Sequence, residues 1–582
     1  MKFLVLFFAL SIAFNRLLAQ ESAPPAKQTA ETTPPAGIFK ARAQLVLIPV
    51  IVNDKSGAHV SGLAGDAFRL EENGKARDIS LFEEVLPPKN ATTQPKLAKD
   101  SAANFLGSSL TPTQFTIVVL DLINTPYLKQ TEGRRHLIEF LARGLPPNQP
   151  VTLLGLSYKG IVQLHSFTTD TQVLIDAVKK LESSLAPGEV SDAEAREQTN
   201  QNADLADSMT SWRTGESADE IAQQITQFMQ DATDTIALLQ QKESTRRTLA
   251  ALNQIAEAYS GTRSRKTLIW ATSGFPFLLN DPRAFTHLGS DMVEQYQQTW
   301  RALTAANIAV YPVELVGLDS RVVDASQSRG SYNPTRSRRG NPMGTSAALP
   351  YDQNEERQDT LKAFADSTGG RPCLNTNEFK KCFAEAVEDS QSYYLVGYYL
   401  PTEDDKPGWR TLKVHVKAQD AHVRAREGFY VAPQAENTTA VRRQELVTAL
   451  SSPFEYTGIV MDVKSSTAEP IDANGDTAPR KLMQDFLVHI PISSLVIDAS
   501  NKNRLDLEIA AVALDRSGKD VSRFSQGVQV SFNPDMLARV QKTGVALKES
   551  LELIPGKYEC RFVVRDNQSG QIGTVHLLYE AK

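Results

Sequence analysis

The stretch FTIVVLDLINTP, Phe115 to Pro126, decides how this chain is read. A run of β-formers ends on Asp121, and Thr125 follows four residues later, just before a proline. Two readings compete: Asp121 presents a carboxylate to a ligand, or it only caps a neighbouring turn. A short apolar run bounded by turn residues is the pattern of a strand buried on both faces. KTLIWATSG and IAVYPVEL repeat that pattern downstream. Helical spacing recurs among them, with Leu137, Ile138, Leu141 and Leu145 on one face, then Leu174, Ile175, Val178 and Leu181, then Leu249, Leu252, Ile255 and Tyr259. Strand and helix alternating from 115 to 400, closed by SYYLVGYYL, predict a doubly wound, mostly parallel α/β sheet covered on both faces. In such sheets ligands bind outside the carboxyl ends of the strands. Asp121, Thr272-Ser273-Gly274 and Glu314 fall at such ends.

Working outward, residues 43–86 read as a small β unit, with a turn at Asp54-Lys-Ser-Gly57 and a hairpin at Asn73-Gly74. The unit is too short to bury a core alone. Residues 87–113 are polar and read as a linker, and 401–433 as a β-hairpin completing the N-terminal unit. Residues 434–450 form a second linker. From 451 to 582, strands spaced by turn signals predict an antiparallel β-sandwich of immunoglobulin-like size. The acidic segment at about 187–217 reads as an exposed loop, and the Arg-rich stretch SRGSYNPTRSRRGNP as disordered.

With 582 residues and 41% hydrophobic content, the chain is long enough for several packed cores. Its formal net charge of −6 argues against nucleic acid as a partner. The N-terminus, MKFLVLFFALSIAFNRLLAQ, pairs Lys2 with an apolar stretch too short to span a bilayer. Residues 1–20 therefore read as a secretory signal, with retention as an anchor the alternative, and 21–42 as a Pro/Ala/Thr-rich linker. No later segment has the length and apolarity of a transmembrane helix. Export would place the protein in the periplasm, on the cell surface or outside the cell. It would also permit a bridge between Cys373 and Cys382, worth ~2–3 kcal/mol for so short a loop. Two free thiols are the alternative. The third cysteine, Cys560, reads as a core strand residue.

IVVLD, RKTLIWATSGFP, ANIAVYPVELVGL and ADSTGGRP followed by DSQSYYLVGYY together resemble a von Willebrand factor type A domain. With the LVLIPVIVNDKSGAHVSGL strands and the D-x-x-N-T-P strand end, the chain is most similar to the exported VWFA-related family described mainly from Acidobacteria. The resemblance covers residues 43–431. It implies a doubly wound fold, inserted here in the small β unit by analogy with integrin β chains. It also implies a metal-ion-dependent adhesion site, where an acidic side chain of a protein partner completes the shell of a divalent cation. Carried over residue by residue, the site would comprise Asp121, Thr125, Thr248 and Ser273. Thr245 is the second choice for Thr248. The departures are plain: Ile123 stands where a hydroxyl is expected, Asn124 is out of register, and Ser273 replaces an aspartate. A single carboxylate with neutral oxygens is a weak site for Mg²⁺ or Mn²⁺.

Nothing in the sequence asks for catalysis. None of the eight histidines has a metal-ligand spacing, and Gly155-Leu-Ser157-Tyr-Lys-Gly160 misses the nucleophile-elbow spacing. His165 reads as a packed residue, and Glu314 with Asp319 as solvated acids. The sequence thus predicts an exported binding or scaffolding protein with no catalytic residue. The alternative is an envelope hydrolase or maturation factor with an unrecognised site.

Overall fold

The structure is a computed structural model. It describes residues 45–87, 100–104, 115–125, 127–146, 149–181, 228, 235, 239–240, 242–261, 264–274, 290–315, 350–400, 406–431, 438–470, 481–499 and 501–582. The signal, its linker, the 187–217 insertion, Asp319 and SRGSYNPTRSRRGNP lie outside the described residues. Among those described, no helix is long and apolar enough to cross a membrane.

The described chain begins with β1 (Leu45–Asn53), β2 (Phe68–Glu72), β3 (Lys75–Arg77) and β4 (Leu81–Val85). Asn73 and Gly74 both have positive φ, 48° and 76°, which suits the tight turn joining β2 to β3. Next comes β5 (Ser101–Ala103), inside a segment the sequence reads as linker.

A five-stranded sheet follows, ordered β10-β9-β6-β7-β8. Its members are β6 (Thr116–Asp121), β7 (Val151–Ser157), β8 (Gly160–Thr168), β9 (Lys266–Thr272) and β10 (Ile308–Glu314). Every residue of β6, β7, β9 and β10 is buried, and these four strands pair in parallel. β8 runs antiparallel to β7, because only Tyr158 and Lys159 separate them and a two-residue link cannot make a crossover. On one face lie α1 (Tyr127–Arg143) and α2 (Thr171–Lys180), the latter capped by Asp170. On the other lie α3 (residues 242–258), α4 (Ser290–Ala305) and α5 (Pro350–Thr368). α6 (Phe379–Gln391) joins the first face through Phe379 and Phe383.

β11 (Tyr393–Tyr399) departs from expectation. The SYYLVGYYL strand does not close the α/β series; it pairs antiparallel with both β1 and β4. β12 (Gly408–Val416), β13 (His422–Arg424) and β14 (Gly428–Val431) follow. The resulting sheets, β13-β1-β11-β4 and β14-β12-β2-β3, share a core of Ile48, Val50, Phe68, Leu70, Tyr394 and Val396. Asp389 of α6 ties this pair to the mixed sheet, accepting hydrogen bonds from Arg424 (2.6 Å) and Tyr311 (3.0 Å).

After α7 (Thr439–Ser451) come β15 (Asp462–Pro470), β16 (Leu482–Ile490), β17 (Arg504–Leu514) and β18 (Asp520–Ser531). Then follow α8 (Pro534–Thr543), β19 (Val545–Leu553), β20 (Gly556–Asp566) and β21 (Ile572–Ala581). Two antiparallel sheets, β19-β16-β15-β5 and β18-β17-β20-β21, close on Phe486, Val488, Leu507, Ile509, Cys560 and Phe562. Burial among them pushes the Cys560 thiol up to about 12.

The expected fold class, a doubly wound, mostly parallel type A sheet, is therefore corrected. Four of the five sheets in the described residues are antiparallel throughout, and the fifth is mixed. The reason lies in hydrophobic runs. A buried run such as YYLVGY looks the same in a parallel sheet and in an antiparallel sheet covered on both faces, so sequence alone does not tell which neighbour it takes.

Candidate functional site at the ends of the parallel strands

The register β9 to β6 sets Leu120 beside Ala271, so Asp121 ends its strand next to Thr272. β10 sets Glu314 beside Thr272 on the other side. The carboxyl ends of three strands thus carry a row of polar groups on the face covered by α3, α4 and α5.

The structure brings the sequence-predicted residues together. Asp121 is 1% exposed, Thr125 and Thr248 are fully buried, and Ser273 is 4% exposed. Thr125 Oγ1 accepts from the Ser273 backbone N–H (3.1 Å), which closes the first loop against the third. Thr248 lies within α3 and donates to the Ser244 carbonyl (2.8 Å), as a mid-helix threonine does. Among the described residues, the Ser273 hydroxyl finds no partner. Thr245, also fully buried, is on the same helix.

Asp121 is surrounded by donors. Oδ1 accepts from the backbone N–H groups of Ile123 (3.2 Å) and Asn124 (3.0 Å). Oδ2 accepts from Asn124 Nδ2 (2.8 Å), Trp270 Nε1 (3.0 Å) and Thr272 Oγ1 (3.0 Å). The Thr272 hydroxyl also lies within reach of the Gly274 carbonyl (3.1 Å). Burial raises the Asp121 carboxyl above its ordinary value, and hydrogen bonds from Asn124, Thr272 and Trp270 oppose that rise. All five groups donate, so the ionised form is the one this cage fits.

The oxygens do not fit a divalent cation. A hard ion needs carboxylate and hydroxyl oxygens turned toward a shared open position. Here Asn124 Nδ2 bridges Asp121 Oδ2 (2.8 Å) and Thr248 Oγ1 (2.9 Å), two oxygens a cation at this place would itself have to bridge. Both neighbours accept, so the amide must turn its NH₂ inward. Among the described residues, no group of three or more His, Cys, Asp or Glu side chains is placed to hold a metal.

Glu314, read in sequence as a solvated acid, is 6% exposed. It accepts from Gln358 Nε2 (3.1 and 3.2 Å) and from the Asn375 backbone N–H (3.1 Å). Gln358 and Asn375 also exchange reciprocal amide bonds (2.9 and 3.0 Å). Nearby, Cys373 and Cys382 are joined in a disulfide, with Cα atoms 5.9 Å apart. Ser157 and His165 bond neighbouring carbonyls, those of Gly160 and Ser166, and join no catalytic group. Sequence reasoning overlooked Trp270 and Thr272 as partners of Asp121. Their in-facing spacing along KTLIWATSG was the available signal, and register was the missing one.

No protein-family model matches the chain, and no curated protein matches it.

Proposed function

We propose that the chain is an exported protein-binding or scaffolding protein whose parallel-strand rim meets a protein partner without a metal ion. The observation behind this reading is the saturation of Asp121 by five donors, with the half-buried Asn124 bridging it to Thr248. A rim held by its own hydrogen bonds is pre-organised and loses little freedom on binding. Recognition by a cation-bridged acid of the partner forms no part of the proposal. Export is supported by the N-terminal pattern and by the Cys373–Cys382 bridge, which belongs to an oxidising compartment.

The test immobilises the full chain and offers it detergent-solubilised envelope from the native source, once with Mg²⁺ and once with EDTA. A discrete partner is expected in both, and Asn124→Asp is expected to weaken its capture. A partner retained only with Mg²⁺ would overturn the proposal. So would steady turnover of peptide, ester or glycan substrates, the behaviour of an envelope hydrolase.

A further inference from the structure

Away from the rim, a cavity of about 100 Å³ opens where β8 and the end of α3 meet the C-terminal sheets. Its walls include Phe167 and Tyr259 on one side and Asn104, Glu455 and Thr457 on the other, with Gln163 and Ser166 at the edge. The volume corresponds to about three waters of ~30 Å³ each, enough for a ligand head of a few heavy atoms.

Most of the polar wall is already committed. Asn104 donates to the carbonyls of Tyr456 (2.7 Å) and Ile459 (2.8 Å) and accepts from the Met461 N–H (2.9 Å). Thr457 bonds the Ala258 carbonyl through both its N–H (2.6 Å) and its hydroxyl (3.1 Å). Besides the Gln163 and Ser166 side chains at the edge, Tyr259 and Glu455 keep spare hydrogen-bonding capacity. The Tyr259 hydroxyl, on a residue 1% exposed, makes no well-formed hydrogen bond among the described residues; Thr152, whose hydroxyl donates to the His165 carbonyl (2.9 Å), is its nearest polar neighbour and can accept its proton, which leaves the Tyr259 oxygen free to accept. Glu455 accepts one bond, from the His576 backbone N–H (2.8 Å). Among the described residues, no cationic side chain pairs with it.

The aromatic wall is rigid. Phe167 and Tyr259 meet edge-on at 5.4 Å, and Phe115 braces both, at 4.6 and 5.6 Å. The backbone beside it is equally fixed: a Cβ on Gly261 would collide with the Gly458 backbone, and one on Gly458 with that of Ile572. The cavity therefore exists before any ligand arrives.

We propose that this cavity binds a small primary ammonium group, held by the Glu455 carboxylate, the Tyr259 hydroxyl and the faces of Phe167 and Tyr259. A half-buried carboxylate with no cationic partner among the described residues favours a positive one. A neighbouring aromatic face adds attraction for the same charge. The ammonium supplies three donors, which suits the accepting oxygens of Glu455 and Tyr259. Burial pushes the Glu455 carboxyl up to about 7. The acid is thus mostly neutral below that pH and charged above it, so binding strengthens as pH rises through 7. The other titratable groups here are Tyr259, which burial holds neutral, Glu257 and Glu445 behind Tyr456, and His576 beside Arg561 and Glu559. Burial and Arg561 push the His576 ring down to about 4, so it stays neutral throughout this range.

The experiment titrates the full chain with methylammonium chloride at pH 8.5 and pH 5.5, following NMR shifts and thermal midpoint. Potassium chloride and tetramethylammonium chloride serve as controls at equal ionic strength. Saturable binding is expected at pH 8.5, with contacts from the ligand methyl to the Phe167 and Tyr259 rings, and about tenfold weaker binding at pH 5.5. Glu455→Gln should lose about tenfold in affinity and Tyr259→Phe a few-fold, both with an unchanged fold by circular dichroism. Three results would each overturn the proposal: no saturable shift, an equal response to potassium, or ring contacts absent from the bound state. The ring contacts are read on the unsubstituted chain, so the test stands even if a variant fails to fold.

Discussion

Two acids, the buried Asp121 and the half-buried Glu455, sit at opposite ends of the mixed-sheet unit, and desolvation raises both above their ordinary values. Asp121, at the strand ends, has five donors. Glu455, at the seam with the C-terminal sheets, has one. Burial alone therefore does not say what a carboxyl is for; the number and sign of the groups around it do. A carboxylate saturated from within holds the fold together, whereas one left short of donors is available to something from outside.

Removing the saturated acid should break the comparison most sharply. Asp121→Ala strands the Trp270 indole N–H, the Asn124 amide and two backbone donors, and is expected to cost about 3–5 kcal/mol in urea unfolding. A loss under about 1 kcal/mol would show that the cage contributes little. Glu455→Gln should act in the opposite direction. The Glu455 carboxyl lies near 7 in the folded chain and near its ordinary value when unfolded, so the folded state binds the extra proton between those limits. Stability then falls as pH rises from about 4.5 to 7, and the penalty persists above 7. The glutamine variant is expected to be more stable than the parent by about 2–3 kcal/mol at pH 8 and equal to it near pH 4.5. A stability difference independent of pH would remove Glu455 from the comparison.

Asn124→Asp sharpens the contrast from the other side. It replaces an amide donor 2.8 Å from Asp121 with a second carboxylate. The variant is expected to lose about 2 kcal/mol in EDTA and to recover part of it in Mg²⁺ or Mn²⁺, while the parent's thermal midpoint ignores both ions. A parent stabilised by either ion, with the effect abolished by Asp121→Ala, would show that the amide does not close the site. The smallest effect belongs to Ser273→Ala. Its hydroxyl is buried without a partner among the described residues, so deletion should leave stability within about 0.5 kcal/mol or raise it slightly. A metal ligand would not be so dispensable.

Much of the local structure was legible in the sequence, because local structure depends on neighbours along the chain. Asn73-Gly74 specified its turn. So did Asp54-Lys-Ser-Gly57, where the aspartate accepts from the Ser56 N–H (2.8 Å), the Ser56 hydroxyl (2.6 Å) and the Ala58 N–H (3.0 Å). Asp515-Arg-Ser-Gly518 repeats the same three bonds at the same lengths, a recurrence the sequence displays openly. Thr125, Thr248 and Ser273 could be nominated because residue type and strand ends are visible in a string of letters. Asn124's bridging amide could not, since it depends on where α3 lies against β6. SYYLVGYYL went to the wrong sheet because burial on both faces erases the alternation that marks a partner. β5 was missed because three residues carry no period. The Glu455 cavity belongs wholly to tertiary contact, with walls drawn from positions 103 to 457.

The glycines at the seam have a consequence for how this protein tolerates change. Gly261, Gly458 and Gly573 each lie where even a methyl group would strike another backbone. The nearest obstacle at each is main chain, which cannot swing aside, so a library scanning every substitution at these three positions should return nearly empty columns. The chain's most brittle letters are therefore its smallest.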